Sequence, residues 1–188
     1  MNKIAIFLAD GFEEIEGLTV VDICRRSGLE LDMVSINGRL EVKGSHGIDV
    51  KADKIIQDIQ KDDYNMLVLP GGKVGTENLE KCDNLLDLIG YYYGAGKYIA
   101  AICAAPSIFA HRGFLMGRRA TCHPTFEAEL EKNGAICTRS QVEIDSGIIT
   151  GQGMGASIAF ALAIAGLLAG QEKADKVAEG IVYKPAAE

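Results

Sequence analysis

The sequence predicts an α/β protein with a mainly parallel β-sheet and helices on both faces. Short apolar segments alternate with helical segments along the 188 residues, a pattern typical of parallel strands joined by helical crossovers. Several of the short segments are apolar at every position, as buried strands are. With 48% hydrophobic residues, the chain is able to bury a substantial core, and we expect one domain over residues 1–188.

The chain begins with strand, helix and strand, over residues 3–8, 14–26 and 30–36. The first apolar run ends at Asp10-Gly11 without a small-residue cleavage site, which favours a buried strand over a signal peptide. The helix carries apolar residues at helical spacing. Those that we expect to face inward are Ile15, Leu18, Val21, Ile23 and Cys24.

Asn37-Gly38 is the strongest short turn signal in the chain. The elements predicted after it are two short antiparallel strands, a weak helix, a buried strand and a helix in one or two pieces, at residues 40–42, 48–50, 52–60, 66–69 and 79–93. The elements predicted in the second half are strands at residues 98–102, 119–122, 141–144 and 148–150, and helices at residues 105–111, 124–132, 155–168 and 172–180. Residues 146–171 form a long stretch without charged residues, but Gln152, Ser157 and the many glycines and alanines favour a strand, a turn and a buried helix over a membrane span.

Charge and cysteine content exclude several classes of function. A formal net charge of −7 with scattered basic residues gives no electrostatic footprint for nucleic acid or an anionic membrane. Five cysteines, without C-x-x-C or Cys/His ligand spacing, argue against a disulfide framework and a zinc site. We therefore expect reduced thiols in a cytoplasmic protein.

Cys103 directly follows the apolar strand at residues 98–102, and Pro106 stands where a first helical turn tolerates proline. A cysteine on such a turn has its sulfur near backbone N–H groups and the positive end of a helix, both of which favour the thiolate. A serine nucleophile elbow uses the same geometry. The structural alternative is a small apolar residue that closes a buried strand.

Four predicted strand ends carry unusual chemistry: residues 11–16, residues 70–72, Cys103 and His123. In parallel sheets, functional sites lie at the carboxyl ends of the strands. We therefore expect these four groups to meet at one edge of the sheet, and this convergence favours a functional interpretation of Cys103 and His123. His46 and His111 have no such context and are expected to be surface residues.

Three glutamates, Glu13, Glu14 and Glu16, stand at the start of the first helix. The helix dipole explains at least two of them. Glu16 lies nearer the core side, and a carboxylate beside a thiolate raises the thiol pKa. A glutamate next to Cys103 must therefore donate a proton or act as a base once the thiol is capped.

Two glycine motifs have competing interpretations. Gly71-Gly72 permits either close approach of the backbone to a ligand or a simple tight turn. Residues 151–156 match G-x-G-x-x-A, but they occur late in the chain without the βαβ unit and ribose-binding acid of a dinucleotide site, which we reject.

Five segments, by their order and spacing, resemble the ThiJ/PfpI superfamily, and within it the branch of the Parkinsonism-associated protein deglycase and its bacterial relatives. The matching segments are Ala9-Asp10-Gly11-Phe12-Glu13-Glu14-Ile15-Glu16, Val68-Leu69-Pro70-Gly71-Gly72, Ala100-Ala101-Ile102-Cys103-Ala104-Ala105-Pro106, Cys122-His123-Pro124 and Thr150-Gly151-Gln152-Gly153. The resemblance covers almost the whole chain. It implies a flavodoxin-like three-layer sandwich, a homodimer and an activity without a cofactor. From charge and cysteine content we expect no metal, nucleic-acid or membrane partner.

The resemblance also implies roles for individual residues. Cys103 is implied as the nucleophile, Glu16 as the acid beside it and His123 as a nearby catalytic group. The residues implied at the substrate site are Gly72 and Ala104, as oxyanion donors, together with Gly71 and Glu13. The implied activity is conversion of 2-oxoaldehydes such as methylglyoxal to hydroxy acids, or repair of early glycation adducts. An alternative is a redox sensor with chaperone-like effects whose cysteine oxidises to the sulfinate.

Two departures narrow this resemblance. Ala104 follows the nucleophile where the peptidase-like branch has histidine. Thr125 stands where glutamine amidotransferases of related fold have a glutamate. A Cys-His-acid triad is therefore unsupported, and Cys122 is a second oxidisable thiol beside the site.

Overall fold

Seven strands form the central sheet, in the order β10-β11-β7-β6-β1-β2-β5. A computed structural model describes residues 2–184, so residue 1 and residues 185–188 of the expected domain lie outside the described residues. The strands are β1 (Lys3–Leu8), β2 (Glu30–Ser35), β3 (Glu41–Lys43), β4 (Asp49–Lys51), β5 (Lys54–Ile55), β6 (Met66–Leu69), β7 (Tyr98–Ile102), β8 (Arg119–Ala120), β9 (Ile136–Cys137), β10 (Val142–Asp145) and β11 (Ile148–Gly151). Every pairing in the central sheet is parallel except that of β10 with β11.

Helices cover both faces of this sheet. They are α1 (Glu14–Arg26), α2 (Lys73–Glu80), α3 (Asp83–Gly94), α4 (Pro106–His111), α5 (Glu127–Lys132), α6 (Ser157–Ala169) and α7 (Gln171–Gly180). Because side chains alternate along a strand, β1 contributes Phe7 to a core with α2–α5 and Ile6 to a second core with α1, α6 and α7. The structure confirms the flavodoxin-like three-layer α/β sandwich.

Residues 52–60 do not form the predicted weak helix. Residues Lys54–Ile55 form β5, which pairs in parallel with β2, and Ile56–Asp58 form one turn of 3-10 helix. The free edge of β2 offers backbone hydrogen bonds, and Ile56 is buried where the strand ends. Tertiary pairing therefore overrides a weak helical propensity.

The predicted strand over residues 119–122 is shorter than expected. Only Arg119–Ala120 are paired, with the unpredicted strand β9, in a two-stranded sheet separate from the central one. The next residue, Thr121, donates its N–H to the side-chain oxygen of Thr150 at 3.0 Å, so the ladder stops there.

Ile15 does not face the core, because its side chain is 51% exposed. The buried positions of α1 are Glu14, Glu16, Gly17, Val20, Val21, Ile23 and Cys24. The spacing of apolar residues alone therefore predicted a core-facing side of α1 that is wider than the one observed. In the described part of the chain, no helix combines the length and the hydropathy that crossing a membrane requires.

Candidate active site

The site lies where three neighbouring parallel strands end. β1, β6 and β7 are adjacent, so residues 11–16, residues 70–72 and Cys103 meet at one edge of the sheet. We predicted that His123 would reach the site because it follows a strand of the same sheet. That reason was wrong, since β8 is not part of the central sheet. His123 nevertheless reaches the site, because its backbone N–H donates to the Cys103 carbonyl at 2.9 Å.

Cys103 has a left-handed backbone conformation, with φ of +66°. Residues other than glycine rarely adopt this conformation unless the surrounding structure holds it, and such strain often accompanies function. The Cys103 N–H donates to the Gly151 carbonyl at 2.9 Å. The strand β7 ends immediately before Cys103 and α4 begins three residues after it, which is the sharp turn that the sequence predicts.

Gly71 and Gly72 bring the backbone into close contact with the site. A Cβ atom on Gly71 would lie 2.5 Å from Glu16 Oε2 and 2.6 Å from the Cys103 Cβ. Gly72 has φ of +87°, and a Cβ there would lie 2.5 Å from the Gly11 carbonyl oxygen. The absence of side chains on this glycine pair therefore lets the backbone approach Glu16, Cys103 and Gly11 closely.

Glu16 is buried at the base of the site, with only 1% of its surface exposed. Its Oε2 atom accepts the N–H of Gly71 at 2.9 Å. Its Oε1 atom is buried and has no hydrogen-bond partner of ordinary geometry among the described residues. The Cys103 sulfur is close enough for the two groups to shift each other's pKa, so Oε1 is available to a proton on the sulfur or on a bound substrate.

The two groups titrate as a pair. Burial raises the pKa of Glu16 to about 7, although the nearby Cys103 thiol and the Gly71 N–H both act to lower it. Burial and the neighbouring Glu16 carboxylate raise the pKa of Cys103 to about 12. Above about pH 7 the pair therefore holds one negative charge and one shared proton.

The helix end does not by itself make Cys103 a thiolate, contrary to the expectation from its position. Hydrogen bonds from the backbone N–H groups of Gly72 and Ala104 lower the Cys103 pKa, but burial and Glu16 outweigh them. A thiolate forms here when Glu16 takes the proton, since that arrangement leaves only one charge in the pocket. Gly72 and Ala104 then stabilise the charge on sulfur.

The His123 side chain makes its hydrogen bonds with Thr125. His123 Nδ1 lies 2.9 Å from Thr125 Oγ1 and accepts the Thr125 N–H at 3.3 Å. The ring thus caps the 3-10 turn at Pro124–Phe126, and among the described residues it bonds neither Cys103 nor Glu16. The backbone of His123 joins the site, while its ring stays engaged in this local cap.

Glu13 and Glu14 contact a turn that the sequence did not connect to the site. Glu13 accepts the Ser45 hydroxyl at 3.2 Å, and the Glu13 charge contributes to the raised pKa of Glu16. Glu14 is 3% exposed and accepts the His46 backbone N–H at 2.7 Å. A helix-dipole explanation of Glu14 is therefore incomplete, because its carboxylate also holds the turn between β3 and β4.

The rejected G-x-G-x-x-A motif has a structural role. The Gly151 carbonyl holds the N–H of Cys103, and a Cβ on Gly151 would lie 2.8 Å from Ile102 Cγ1 and 2.9 Å from Phe160 Cδ2. Sequence reasoning missed this residue as a support for the elbow. The available signal was a glycine at the end of a strand predicted to be buried.

Comparison with known proteins agrees with the motifs. The model of the DJ-1/PfpI family matches residues 2–167. DJ-1 homolog B of Arabidopsis thaliana is 36% identical over 187 residues, which cover 98% of this chain and 42% of that protein. Protein dj-1beta of Drosophila melanogaster is 34% identical over 183 residues, 97% of this chain and 98% of that protein.

The chain spans less than half the length of the Arabidopsis relatives, homologs A and B. Among solved structures, oxidized Toxoplasma gondii DJ-1 superposes with a TM-score of 0.92 at 31% identity, covering 97% of this chain and 99% of that one. The fold therefore agrees over nearly all of the sequence.

Proposed function

The chain belongs to the DJ-1/PfpI family, and from this membership and the geometry of the site we propose that it is a cysteine-dependent, cofactor-free glyoxalase. Its substrates are 2-oxoaldehydes such as methylglyoxal, its products are hydroxy acids, and early glycation adducts are a related substrate class. The observation that carries the proposal is the pairing of the Cys103 sulfur with a buried Glu16 carboxyl group that has a free oxygen among the described residues. This pairing supplies a nucleophile and a proton carrier in one pocket.

The first step is addition. The Cys103 thiolate, formed when Glu16 holds the shared proton, attacks the aldehyde carbon and forms a C–S bond. The resulting hemithioacetal oxyanion accepts hydrogen bonds from the N–H groups of Gly72 and Ala104, the same groups that act to lower the pKa of the Cys103 thiol. Because Gly71 has no side chain, the space beside Glu16 and Cys103 stays open for the substrate. Glu13 acts on this space through its negative charge, which helps to raise the pKa of Glu16.

The second step moves a proton between the two carbons of the substrate. Glu16 first gives its proton to the hemithioacetal oxyanion and so becomes a base again. It then removes the proton from the former aldehyde carbon and returns it to the neighbouring carbon, while the hydroxyl proton passes between the two substrate oxygens, which turns the hemithioacetal into a thioester. Water then cleaves the C–S bond, releases the hydroxy acid and restores the thiol. Substrate plus water equals product, so no external oxidant or reductant is needed. His123 assists only after a change in its bond to Thr125.

The test is lactate formation from methylglyoxal in buffer without glutathione and with a metal chelator. We expect turnover by the natural sequence and its loss in Cys103→Ser and Glu16→Gln, by about a hundredfold or more because each removes a reacting group. Cys82→Ser is the matched control, since Cys82 lies between α2 and α3 and outside the pocket. Turnover retained by Cys103→Ser would refute the mechanism.

A second candidate function is redox sensing. The Toxoplasma gondii relative is an oxidized DJ-1, and the Gly72 and Ala104 N–H groups that reach the Cys103 sulfur would also bind sulfinate oxygens. Two molecules of peroxide convert the thiol to the sulfinate and release two molecules of water. Mass spectrometry after mild peroxide treatment decides between the candidates. Oxidation of Cys103 first, with negligible aldehyde turnover, favours the sensor, whereas earlier oxidation of Cys24 or Cys137 excludes it.

The proposal includes a homodimer in the cytoplasm. All five cysteines are free thiols, as a reducing compartment requires. Apolar side chains that are unusually exposed gather at α1 and its neighbours, at Ile15, Ile48 and Ile158. A second copy of the chain packed on them would remove this apolar surface from water.

A further inference from the structure

Four polar side-chain atoms converge at the start of α1, beside the Cys103 pocket but not part of the Cys103–Glu16 pair. They are Glu13 Oε2, Glu14 Oε2, Ser45 Oγ and His46 Nδ1. Ser45 Oγ lies 3.2 Å from the Glu13 oxygen, 3.1 Å from the Glu14 oxygen and 2.9 Å from the His46 nitrogen. The His46 nitrogen lies 3.2 Å from the Glu14 oxygen and 3.5 Å from the Glu13 oxygen.

These separations are close to, and mostly slightly shorter than, the edges of a tetrahedral coordination shell. Zinc binds imidazole nitrogen and carboxylate oxygen at about 2.0–2.2 Å, which places neighbouring ligand atoms about 3.3–3.6 Å apart. The five measured edges run from 2.9 to 3.5 Å, and the two carboxylates and the imidazole offer ligand atoms that all lie within 4.8 Å of one another. An ion at the centre requires these side-chain atoms to move apart by a few tenths of an ångström.

The excess of negative charge in this cluster also favours the binding of a cation. The Glu14 side chain is only 4% exposed, and its Oε2 atom lies 3.2 Å from His46 Nδ1. Among residues 2–184, His46 is the only basic side chain within 4.0 Å of Glu13 or Glu14. One imidazole therefore faces two carboxylates, one of them buried, and a buried charge without a full counter-charge is costly.

The two oxygens of Glu14 have separate tasks. Oε1 accepts backbone N–H groups from His46 at 2.7 Å and Ile48 at 3.5 Å, which fixes the orientation of the carboxylate. Oε2 is thereby turned toward Ser45 and His46. Ligands fixed by hydrogen bonds outside the coordination shell are characteristic of metal sites in proteins.

We propose that Glu13, Glu14 and His46 form a binding site for a divalent transition-metal ion, best matched by zinc, with Ser45 Oγ or a water molecule in the fourth position. Imidazole and carboxylate together suit such ions. Metal binding at this site does not require the proposed glyoxalase activity. Residue spacing carries no metal signal here, since His46 lies 32 residues beyond Glu14.

A second histidine with two carboxylates provides the matched control. His111 Nδ1 bonds Glu80 at 2.5 Å, whereas its Nε2 bonds Glu129 at 3.1 Å. The two carboxylates lie on opposite sides of the ring, so they cannot share one ion with the same nitrogen. His111→Ala therefore removes a histidine of similar surroundings without removing a ligand set.

The experiment is a calorimetric titration of Zn²⁺ into the chelator-treated full chain. We expect one Zn²⁺ per chain, an affinity at least about tenfold weaker in His46→Ala, and no change in His111→Ala. Because the His46 side chain is 70% exposed, the His46→Ala variant should fold normally, which circular dichroism checks.

Co²⁺ in place of Zn²⁺ distinguishes this site from the cysteines. An oxygen and nitrogen shell of tetrahedral geometry gives visible absorption bands without the near-ultraviolet thiolate band of a cysteine site. Equal Zn²⁺ affinity in the natural sequence and in His46→Ala would overturn the proposal. So would the absence of saturable binding, or a thiolate band that disappears in Cys103→Ser.

Discussion

The proton shared by Cys103 and Glu16 determines how the thiol responds to pH. A thiolate beside a protonated Glu16 and a thiol beside a Glu16 carboxylate carry the same number of protons. The thiolate fraction therefore rises when the pair loses its first proton, and the pKa of about 7 that burial gives to Glu16 sets that pH. The sign is fixed by chemistry, because the reactive form is lost as the pH falls below about 7.

We accordingly expect the rate of Cys103 alkylation by iodoacetamide to rise between about pH 6 and 8 and then to level off. In Glu16→Gln no proton can be shared, so the rise moves to higher pH, toward or above the ordinary cysteine value of about 8.5. The measurement is mass spectrometry of the Cys103 peptide over a pH series, with Cys82→Ser as control. A rate without an inflection near the Glu16 pKa of about 7 in the natural sequence would contradict the shared proton.

Gly71 tests the space around this pair. In Gly71→Ala the new methyl group meets Glu16 Oε2 at 2.5 Å and the Cys103 Cβ at 2.6 Å, so one of the two groups has to move. We expect a loss of about a hundredfold in aldehyde turnover, since a displacement of about 1 Å costs that much, and retained secondary structure. Gly94→Ala at the end of α3 is the matched control, because nothing lies within 4 Å of its Cβ position among the described residues.

At the level of elements, one aromatic side chain of α6 is part of the core and also packs beside Gly151, which supports the site. Phe160 is fully buried and would contact a Cβ on Gly151, the residue whose carbonyl holds Cys103. Phe160→Ala should lower the free energy of unfolding by about 3–5 kcal/mol, because it removes a buried ring and leaves a cavity.

Leu167, on the same helix and 39% exposed, supplies the comparison for Phe160. Leu167→Ala should lower the free energy of unfolding by less than about 1 kcal/mol, since the substitution removes little buried apolar surface. Urea denaturation of both variants measures the two values. Equal losses of unfolding free energy in the two variants would mean that burial of the Phe160 side of α6 does not account for the stability that this helix contributes.

Elements with strong local signals were predictable, and those set by distant partners were not. The strand before Cys103 is apolar throughout and matched the structure, as did α1 and α6. β5 and β9 are each two residues long, and their pairing depends on strand edges elsewhere in the chain. No periodicity fits into two residues, so single-sequence reasoning has nothing to detect there.

At the scale of the whole molecule, the parts of the site that lie at the ends of parallel strands were predictable from the sequence. The parts that depend on loop conformation were not. Topology alone brings the ends of β1, β6 and β7 together. The approach of His46 to Glu14, in contrast, depends on how the β3–β4 turn folds over α1, which is a contact between residues 32 positions apart. Side-chain pairing at that separation leaves no trace in residue spacing.

Ile15 is the residue that links sequence, element and assembly. The helical pattern predicted it to face the core, yet it is 51% exposed and lines a shallow groove with Leu18, Ile48, Ile158 and Ile181. A helix that is apolar on more than its core-facing side is expected to contact a second apolar surface. A second copy of the chain provides that surface in the proposed homodimer.

Light scattering coupled to gel filtration should then give twice the chain mass of 20.1 kDa. Ile15→Asp should convert the dimer to a monomer, because each buried isoleucine contributes about 1.5–3 kcal/mol and an unpaired carboxylate at the interface adds a desolvation penalty. Met116→Asp alters an even more exposed apolar residue, at 71%, outside the groove, and should leave the dimer intact. A monomeric natural sequence, or an Ile15→Asp variant that stays dimeric with unchanged circular dichroism, would place the contact between copies elsewhere or remove it altogether.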